Sequence, residues 1–313
     1  MPRTFRSLIL SVAARSWVER FVRKSRITRG VVRRFVAGDS LSEAIAAAEV
    51  SVRRGFTVSL DFLGEHTSAE EDAELAAMEY GRLLEAAGSS PEHGGWQPER
   101  INISVKLSQL GLDFDSDGCC RRLCSLLDQA QARRQFVRID MESSPTIDRT
   151  LECFWIARER YDNVGAVLQS MLHRTPDDLD ALVKKGVRVR LVKGAYQEGP
   201  DVAYRDKRDT DSAYIEMARK LALDGIYPAF ATHDLRIIQK IIGFAEEKGI
   251  GRGRFEFQML YGVRRDLQEA LRKRGYIVRV YIPYGASWYP YFTRRLAERP
   301  ANLFFFMRSL LGR

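Results

Sequence analysis

The chain has 313 residues, of which 45% are hydrophobic, and a formal net charge of +9 at pH 7. This length suits two average domains or one large α/β barrel, and the hydrophobic share is enough for a sizeable core. No apolar run approaches the ~20 residues that a membrane-spanning helix needs, so the sequence offers no candidate for one.

The positive charge is concentrated in an N-terminal arm. Residues 1–36 carry ten basic side chains and one acidic one, whereas the remaining 277 residues carry 40 of each. An apolar stripe accompanies this charge, formed by Trp17, Val18, Phe21 and Val22. Such an arm is typical of contact with anionic lipids or nucleic acid, or of a basic helix packed on the body. We expect a helical arm at residues 1–50, in which Leu41–Val52 is the clearest helix, and one domain at residues 51–313.

Beyond the arm, apolar and β-branched runs alternate with segments of helical periodicity. Eight runs predict strands, at Phe56–Phe62, Ile101–Leu107, Phe136–Met141, Val164–Gln169, Val187–Val192, Tyr227–Ala231, Arg254–Gln258 and Ile277–Ile282. Seven segments predict helices, at Ala69–Ala87, Cys119–Arg133, Ile147–Arg160, Asp177–Lys185, Ser212–Leu223, Leu235–Glu247 and Arg264–Arg274. Alternating strands and helices imply a parallel sheet, and eight repeats most simply close into a (β/α)8 barrel. A doubly wound sheet is disfavoured because no G-x-G-x-x-G follows the first strand.

Polar side chains stand at the end of every predicted strand. They are, in chain order, Asp61, Lys106, Asp140, Gln169, Arg190 with Lys193, Thr232 to Asp234, Gln258 and Tyr281. In a (β/α)8 barrel the active site lies at the C-terminal ends of the strands. Lys106 and Arg190 are embedded in apolar strands, where a charge is costly unless it is paired. The eight polar ends therefore predict one shared pocket.

The segment Val278–Pro300 predicts how such a pocket is closed. It begins as a strand, turns at residues 283–285 and continues as a helix. The helix carries one tyrosine and two arginines, at Tyr291, Arg294 and Arg295. Because residues three and four apart share a helix face, the tyrosine lies beside both arginines, and Tyr281 faces the same space. This set suits a small ligand with a carboxylate and an apolar body. The alternative is a surface helix on which the arginines pair with Glu298.

The predicted pocket contains cations and amides but lacks the sequence signs of a nucleophile or a metal site. His233 has no Ser or Cys motif beside it. The cysteines, Cys119, Cys120, Cys124 and Cys153, show no metal-ligand spacing, and we expect them to be thiols in a reducing compartment. This composition favours a bound cofactor that carries the chemistry. Alternatively, Lys106 or Lys193 forms a Schiff base, as an aldolase-type barrel requires.

Seven motifs then occur in a recognisable order. They are SLDFLGE (59–65), ISVKLSQLG (103–111), RIDMES (138–143), RLVKGAY (190–196), ATHD (231–234), FEFQMLYG (255–262) and YIPYG…WYPYFTRRLAERPAN (281–302). In them the chain resembles the proline dehydrogenase family in its short, monofunctional bacterial form. The resemblance implies a distorted (β/α)8 barrel with N-terminal helices, a final helix over the barrel mouth and non-covalent FAD. It also implies oxidation of L-proline to Δ1-pyrroline-5-carboxylate by hydride transfer to flavin N5, with electrons passed to membrane quinone.

The resemblance also implies roles for individual residues. The proline carboxylate is expected at Lys106, Arg294 and Arg295, and the ring against Tyr281, Tyr291 and Leu260. The catalytic positions are Arg190, near flavin N5, and Asp140, on the substrate side. FAD contacts are implied at Met141, Gln169, Arg190, Val192, Lys193, Gly194, Thr232, His233, Asp234, Gln258 and Glu298. Glu65 is implied as the partner of Arg294 in an ion pair that gates the pocket.

Partners and location follow from the same resemblance. The chain lacks motifs of a fused aldehyde dehydrogenase, so we expect a separate pyrroline-5-carboxylate dehydrogenase to use the product. We expect a cytoplasmic protein, peripheral at the inner face of the cell membrane through the basic arm, without nucleic acid. Three alternatives remain open: a hydroxyproline dehydrogenase, disfavoured by the large ring of Tyr281, a Schiff-base lyase on the same fold, and a non-enzymatic binding protein acting through the arm.

Overall fold

A computed structural model describes residues 11, 15–24, 26–64, 66–89 and 100–298. Its centre is a closed barrel of eight parallel strands that pair in chain order. The strands are β1 Thr57–Phe62, β2 Ile101–Val105, β3 Val137–Ile139, β4 Val164–Gln169, β5 Val189–Val192, β6 Ala229–Ala231, β7 Glu256–Leu260 and β8 Ile277–Tyr284. The barrel closes where β1 pairs with β8, from Thr57 opposite Arg279 to Phe62 opposite Tyr284. The predicted (β/α)8 fold is confirmed.

Helices precede the barrel and alternate with its strands. Within the described ranges they are α1 Ser16–Lys24, α2 Arg26–Val32, α3 Leu41–Arg53, α4 Glu70–Ser89, α5 Ser116–Ala132, α6 Ile147–Arg158, α7 Thr175–Lys184, α8 Lys207–Asp224, α9 Leu235–Glu247, α10 Arg265–Lys273 and α11 Trp288–Glu298. Short 3-10 turns lie at Leu107–Leu110, Ser144–Thr146 and Arg252–Arg254. Every strand and helix predicted from the sequence is present.

Some helix and strand boundaries differ from the predicted ones, because local backbone geometry or a capping contact overrides the hydrophobic periodicity. Strand β6 begins at Ala229 and not at Tyr227, because Tyr227 has φ +46°, which a strand does not accommodate. Helix α8 begins five residues earlier than predicted because the Asp206 side chain accepts from the Arg208 backbone N–H at 2.8 Å and caps it. The predicted turn at residues 283–285 also shifts, since β8 runs to Tyr284 and the chain turns at Gly285, φ +117°.

The barrel departs from regular (β/α)8 geometry at its last helix. Helix α3, which precedes the barrel, packs against β1 and β8, where the helix after β8 lies in a regular barrel. Helix α11 instead shares a hydrophobic cluster with Leu63 and Val263, which follow β1 and β7. Because both follow the C-terminal ends of their strands, α11 lies over the mouth of the barrel, as predicted.

The N-terminal segment belongs to the same cluster as α11. It contributes five buried side chains, from Val22, Val31, Val32, Phe35 and Val36. They pack with Leu63, Val263 and the α11 residues Trp288, Tyr289, Tyr291, Phe292 and Leu296. This part of the basic arm is therefore a helical segment packed on the body. The domain boundary at residue 50 stays a prediction.

The expectation of four thiols is wrong for one pair. Cys120 in α5 and Cys153 in α6 form a disulfide, with Cα atoms 5.4 Å apart, whereas Cys119 and Cys124 are free. The two helices are neighbours in the outer ring. A separation of 33 residues carries no spacing signal, so the pairing was not readable from the sequence. No helix of the described residues has both the length and the apolarity to cross a membrane.

Candidate active site

Arg190 of β5 is the centre of a polar layer inside the barrel. Its side chain is buried, at 3% exposure. The Nη1 atom donates to Asp140 Oδ1 at 2.6 Å, and Nη2 donates to Ser59 Oγ at 3.3 Å and Ser104 Oγ at 3.1 Å. The guanidinium also lies 5.2 Å from the ring centroid of Tyr281. Because these partners come from β1, β2, the end of β3 and β8, the strand-end side chains converge on one place, as expected from barrel closure.

Asp140 joins Arg190 to the tyrosine predicted to face the substrate ring. Its Oδ2 accepts from the Tyr281 hydroxyl at 2.6 Å, while Oδ1 is occupied by Arg190. Burial, reinforced by the Asp140 carboxylate, raises the pKa of Tyr281 well above its usual value. The phenol therefore stays neutral and keeps donating to Asp140. Charge-assisted bonds on both oxygens fix the ring and the guanidinium in one arrangement.

Lys106 lies between two carboxylates in this layer. Its Nζ contacts Asp61 Oδ1 and is 3.8 Å from Asp140 Oδ2. Asp61 is 1% exposed and Lys106 is 8% exposed. Burial and the neighbouring Asp140 raise the pKa of Asp61 to about 6, although Lys106 opposes that shift. From the sequence, Asp61 is a strand-end residue without an assigned role. Ser59 and Ser104 lie inside their strands and were not predicted to belong to the site.

Helix α11 covers this layer with aromatic and cationic side chains. Arg295 is 9% exposed, and its guanidinium lies 5.1 Å from the ring centroid of Tyr291. Arg294 is half-buried. Leu260, at the end of β7, packs against the cluster that contains Tyr291. The burial of Arg295 disfavours the alternative of a surface helix. Glu65 and the side chain of Glu298 lie outside the described residues, so the gate and the Glu298 contact stay predictions.

Gln169 and Gly194 offer two further features that suit a bound ligand. Gln169 is buried, and its Nε2 donates to the Glu142 carbonyl at 2.7 Å. Among the described atoms its Oε1 accepts no hydrogen bond, so a buried acceptor is left for a bound group. Gly194 has φ +112°, and a Cβ there would lie 2.4 Å from Met171 Sδ. Glycine therefore allows the chain to turn closely after β5.

The segment after β6 supplies further polar groups. Thr232 Oγ1 accepts from the Asp234 N–H at 3.1 Å, and the Asp234 carboxylate caps α9 at Arg236 N. His233 Nε2 accepts from the Leu260 N–H at 2.9 Å. The proton of a neutral His233 ring therefore resides on Nδ1, which makes that atom a donor.

Lys193 belongs to an ionic cluster separate from the Arg190 layer. Its Nζ lies 2.6 Å from Asp211 and 3.2 Å from Asp234, and Lys207 adds a cation 3.7 Å from Asp234. Asp211 and Lys207 are on α8 and were missed by sequence reasoning, because helix residues carry no strand-end signal. Although burial opposes it, the charge of Lys193 lowers the pKa of Asp234. The carboxylate is therefore an anion that orients Lys193.

The remaining predicted cofactor contacts occupy two other places. Met141 packs in an apolar cluster with Val167, and Val192 borders that cluster. Gln258 lies deeper in the barrel, where its Nε2 donates to Glu256 Oε1 at 2.5 Å. Glu256 in turn pairs with Arg279 at 2.7 Å, and both side chains are fully buried. The predicted contacts thus fall into an apolar cluster, an ionic cluster and a buried polar group.

Comparison with known proteins identifies the family. The model of the family described as proline dehydrogenase matches residues 44–308. The chain belongs to the proline dehydrogenase family. The proline dehydrogenase of Deinococcus radiodurans is 39% identical over 312 residues, which cover 98% of this chain and 98% of that protein. Proline dehydrogenase 2 of Bacillus subtilis is 37% identical over 305 residues, covering 97% and 95% respectively.

Longer proteins match over part of their length. The bifunctional protein PutA of Escherichia coli is 31% identical over an alignment of 314 positions that covers 88% of this chain and 24% of that protein. The crystal structure of proline utilization A (PutA) from Bdellovibrio bacteriovorus, inactivated by N-propargylglycine, has a TM-score of 0.80 at 27% identity. The match covers 94% of this chain and 36% of that chain. The family predicted from the motifs is confirmed, and with it the prediction of an oxidoreductase enzyme.

The pocket fits the flavin that the proline dehydrogenase family implies. A flavin ring system carries an imide N–H that needs an acceptor, and Gln169 Oε1 is a buried acceptor without a partner among the described atoms. The close turn at Gly194 and the His233 Nδ1 donor suit polar groups that approach the backbone. The cationic side chains Lys193 and Lys207 suit phosphates.

Proposed function

We propose that the chain oxidises L-proline to Δ1-pyrroline-5-carboxylate, with non-covalently bound FAD as its cofactor. One observation carries this proposal: Arg190, Asp140, Tyr281 and Lys106 form a single polar layer beneath α11, in which Arg190 and Lys106 are buried. The layer and the helix together offer cations for a carboxylate and aromatic faces for a small ring. Membership in the proline dehydrogenase family supports the same substrate.

The substrate carboxylate binds to Lys106, Arg294 and Arg295, and the ring packs against Tyr281, Tyr291 and Leu260. A planar guanidinium recognises a carboxylate with two parallel hydrogen bonds, and this fixes both position and direction. Supporting this role, Arg295 is already oriented by its contact with the Tyr291 ring. Orientation of this kind lowers the barrier because the reacting carbon is held in place before the reaction.

The catalytic contribution of Arg190 and Asp140 is electrostatic. Arg190 puts a fixed positive charge beside the substrate space, and Asp140 holds its guanidinium at 2.6 Å. When bound, FAD supplies the chemistry of hydride acceptance from the ring carbon next to nitrogen. The protein orients the substrate and excludes water, since α11 and the N-terminal segment close the mouth with buried aromatic side chains.

Eleven side chains and backbone groups would hold the cofactor, with Gln169 and Gly194 as the best supported. The full set is Met141, Gln169, Arg190, Val192, Lys193, Gly194, Thr232, His233, Asp234, Gln258 and Glu298. They divide by chemistry: Met141 and Val192 suit an apolar ring face, whereas Lys193 suits a phosphate. We also retain Glu65 as a gate that pairs with Arg294.

We further propose that electrons pass to a membrane quinone and that a separate pyrroline-5-carboxylate dehydrogenase uses the product. Contact with the membrane would be peripheral, on the cytoplasmic side, through the basic N-terminal arm. Support comes from α1, where Trp17 is 59% exposed and Arg20 is also exposed. An exposed aromatic ring beside a cation suits an anionic lipid surface.

The experiment is an absorbance spectrum of the purified protein before and after L-proline is added without oxygen. We expect a flavin spectrum that proline bleaches. A colourless protein that borohydride traps together with substrate would overturn the proposal in favour of a Schiff-base lyase. Equal retention of full-length and arm-truncated protein on anionic vesicles would contradict the membrane contact.

A further inference from the structure

Two carboxylates of the active site, the buried Asp61 and the half-buried Asp140, contact different cations. Asp140 uses one oxygen for Arg190 and the other for the Tyr281 hydroxyl, each at 2.6 Å. Lys106 stays 3.8 Å from Asp140 and makes its direct contact with Asp61. Asp140 therefore holds the arginine and the tyrosine most closely, while Asp61 makes the direct contact with the lysine.

Strand register explains why Asp61 and Lys106 meet. Asp61 in β1 is the register partner of Ser104 in β2, and Lys106 follows Ser104 by two residues on the same side of the strand. Both side chains are buried, and a buried ammonium is stable only beside an acceptor of opposite charge. Asp61 supplies that charge from the wall of the barrel, on the far side of Lys106 from Asp140.

We propose that Asp61 is a positioning residue for substrate binding, acting through Lys106. It fixes the ammonium where the substrate carboxylate is recognised and keeps it from competing for Asp140. This inference rests on the proposed function and assigns a role to a residue that does not itself touch substrate.

Loss of the Asp61 charge would disturb both ends of the substrate. Lys106 would turn to Asp140 Oδ2, where it competes with the Tyr281 hydroxyl, so carboxylate recognition and ring packing would loosen together. Proline in solution is a zwitterion, so a change of one pocket charge acts oppositely on its carboxylate and its ammonium. Displacement of Lys106 and Tyr281 therefore dominates the effect, and displacements of about 1 Å can cost on the order of 100-fold in rate.

The same contact predicts an acid limb in the pH profile of proline oxidation, where activity declines as the pH falls. The charged or titratable groups that face Asp61 come from the ends of β2 and β3, from β8 and from α4, and are Lys106, Asp140, Tyr281, Tyr284 and Tyr80. With burial as the main cause, the pKa of Asp61 rises to about 6. Asp61 is an anion above this pH, and the contact with Lys106 is lost as the pH falls through it. Asp61→Asn mimics the protonated carboxyl at every pH.

The test is a double-mutant cycle of Asp61→Asn and Lys106→Met, with proline kinetics measured from pH 5 to 8. We expect Asp61→Asn to raise KM on the order of tenfold at pH 7.5, with a smaller change in kcat, and to remove the limb near pH 6. In the Lys106→Met background the same change should have little effect on KM, because Asp61 acts through Lys106.

Folding is checked in the same cycle. The double variant replaces a buried ion pair by neutral groups of similar size, so it should unfold at a temperature close to that of the wild type. Wild-type KM and an unchanged acid limb in Asp61→Asn would overturn the inference, as would equal effects of Asp61→Asn in both backgrounds. Bleaching of the wild-type flavin by proline is measured alongside, so failure of the proposed function is distinguished from failure of this inference.

Discussion

Phe35 of the N-terminal segment packs on Phe292 of α11, with ring centroids 6.4 Å apart. Two backbone hydrogen bonds reinforce the contact, from Ala37 N to the Pro283 carbonyl at 2.8 Å and from Gly285 N to the Gly38 carbonyl at 3.0 Å. The helix that carries the predicted carboxylate arginines is thus held by residues that precede the first strand, Thr57–Phe62, by 19 to 22 positions. This relationship makes the N-terminal segment part of the support of the active site.

Phe35→Ala is expected to lower stability and proline affinity together. Deletion of a buried phenyl ring costs ~3–5 kcal/mol of unfolding free energy, and α11 would lose one of its main contacts. Denaturant unfolding and the proline KM measure the two effects. Phe114→Ala is the matched control, since Phe114 is 43% exposed and should tolerate the change. Equal stability of the two variants would show that the segment does not support α11.

The effect of truncating the arm on activity and stability should depend on how many residues are removed. Deletion of residues 1–14 leaves the described contacts with α11 intact, so activity with an artificial electron acceptor should be retained. Deletion of residues 1–38 removes Phe35 and both backbone hydrogen bonds, so the proline KM should rise and the unfolding temperature should fall. If both truncations behaved alike, the contacts of the N-terminal segment would be irrelevant to the site.

Arg294→Met and Arg295→Met should separate substrate binding from cofactor binding. Each removes a guanidinium but keeps an apolar side chain, so the proline KM is expected to rise on the order of tenfold or more while flavin content changes little. The measurement combines steady-state kinetics with the flavin-to-protein ratio. Arg236→Met serves as the control, because Arg236 is an exposed side chain of α9. Wild-type KM in both variants would refute the carboxylate assignment.

Substitutions at Tyr281 should alter discrimination between proline and hydroxyproline. The ring is pinned by Asp140 and by the Arg190 guanidinium, so it blocks space beside the substrate. Tyr281→Ala is expected to lower kcat/KM for proline and to raise the hydroxyproline-to-proline ratio on the order of tenfold. Tyr281→Phe keeps the ring and should preserve the discrimination. An unchanged ratio in the alanine variant would exclude Tyr281 as the determinant.

Glu256 should make stability depend on acid pH. Although burial opposes it, Arg279 lowers the pKa of Glu256 to about 2, below its usual 4.5. As the pH falls, Glu256 is therefore protonated in the unfolded chain before it is protonated in the folded protein. The stabilisation that is present above pH 4.5 is lost as the pH falls towards 2. Glu256→Gln leaves Arg279 without its carboxylate and should cost ~3–5 kcal/mol near neutral pH.

Denaturant midpoints between pH 3 and 7 measure the effect of Glu256. The acid slope should be shallower in Glu256→Gln than in the wild type. Glu269→Gln is the control, because its pair with Arg272 at 3.1 Å is more exposed and is worth ~0–1 kcal/mol. Parallel pH profiles of wild type and Glu256→Gln would contradict the assignment.

Much of the fold was predictable because its signals are local. Hydrophobic period and turn residues act over a few positions, so all eight strands and the helices between them were found from the sequence. Errors were confined to ends such as Tyr227 and Asp206, where one backbone angle or one cap decides the boundary. The convergence of strand ends was also predictable, since barrel closure brings every C-terminal end to one rim.

The sequence by itself determined the barrel, the family motifs and the polar side chains that stand at the strand ends. It left open which of those side chains pair, because pairing depends on register and closure between distant segments. Tyr281 and Asp140 are 141 residues apart, and Arg190 and Ser59 are 131 apart. Tertiary structure alone decided that Asp61 takes Lys106, that Cys120 joins Cys153 and that the N-terminal segment holds α11. Each is a contact between elements whose relative positions are set by packing of the whole chain.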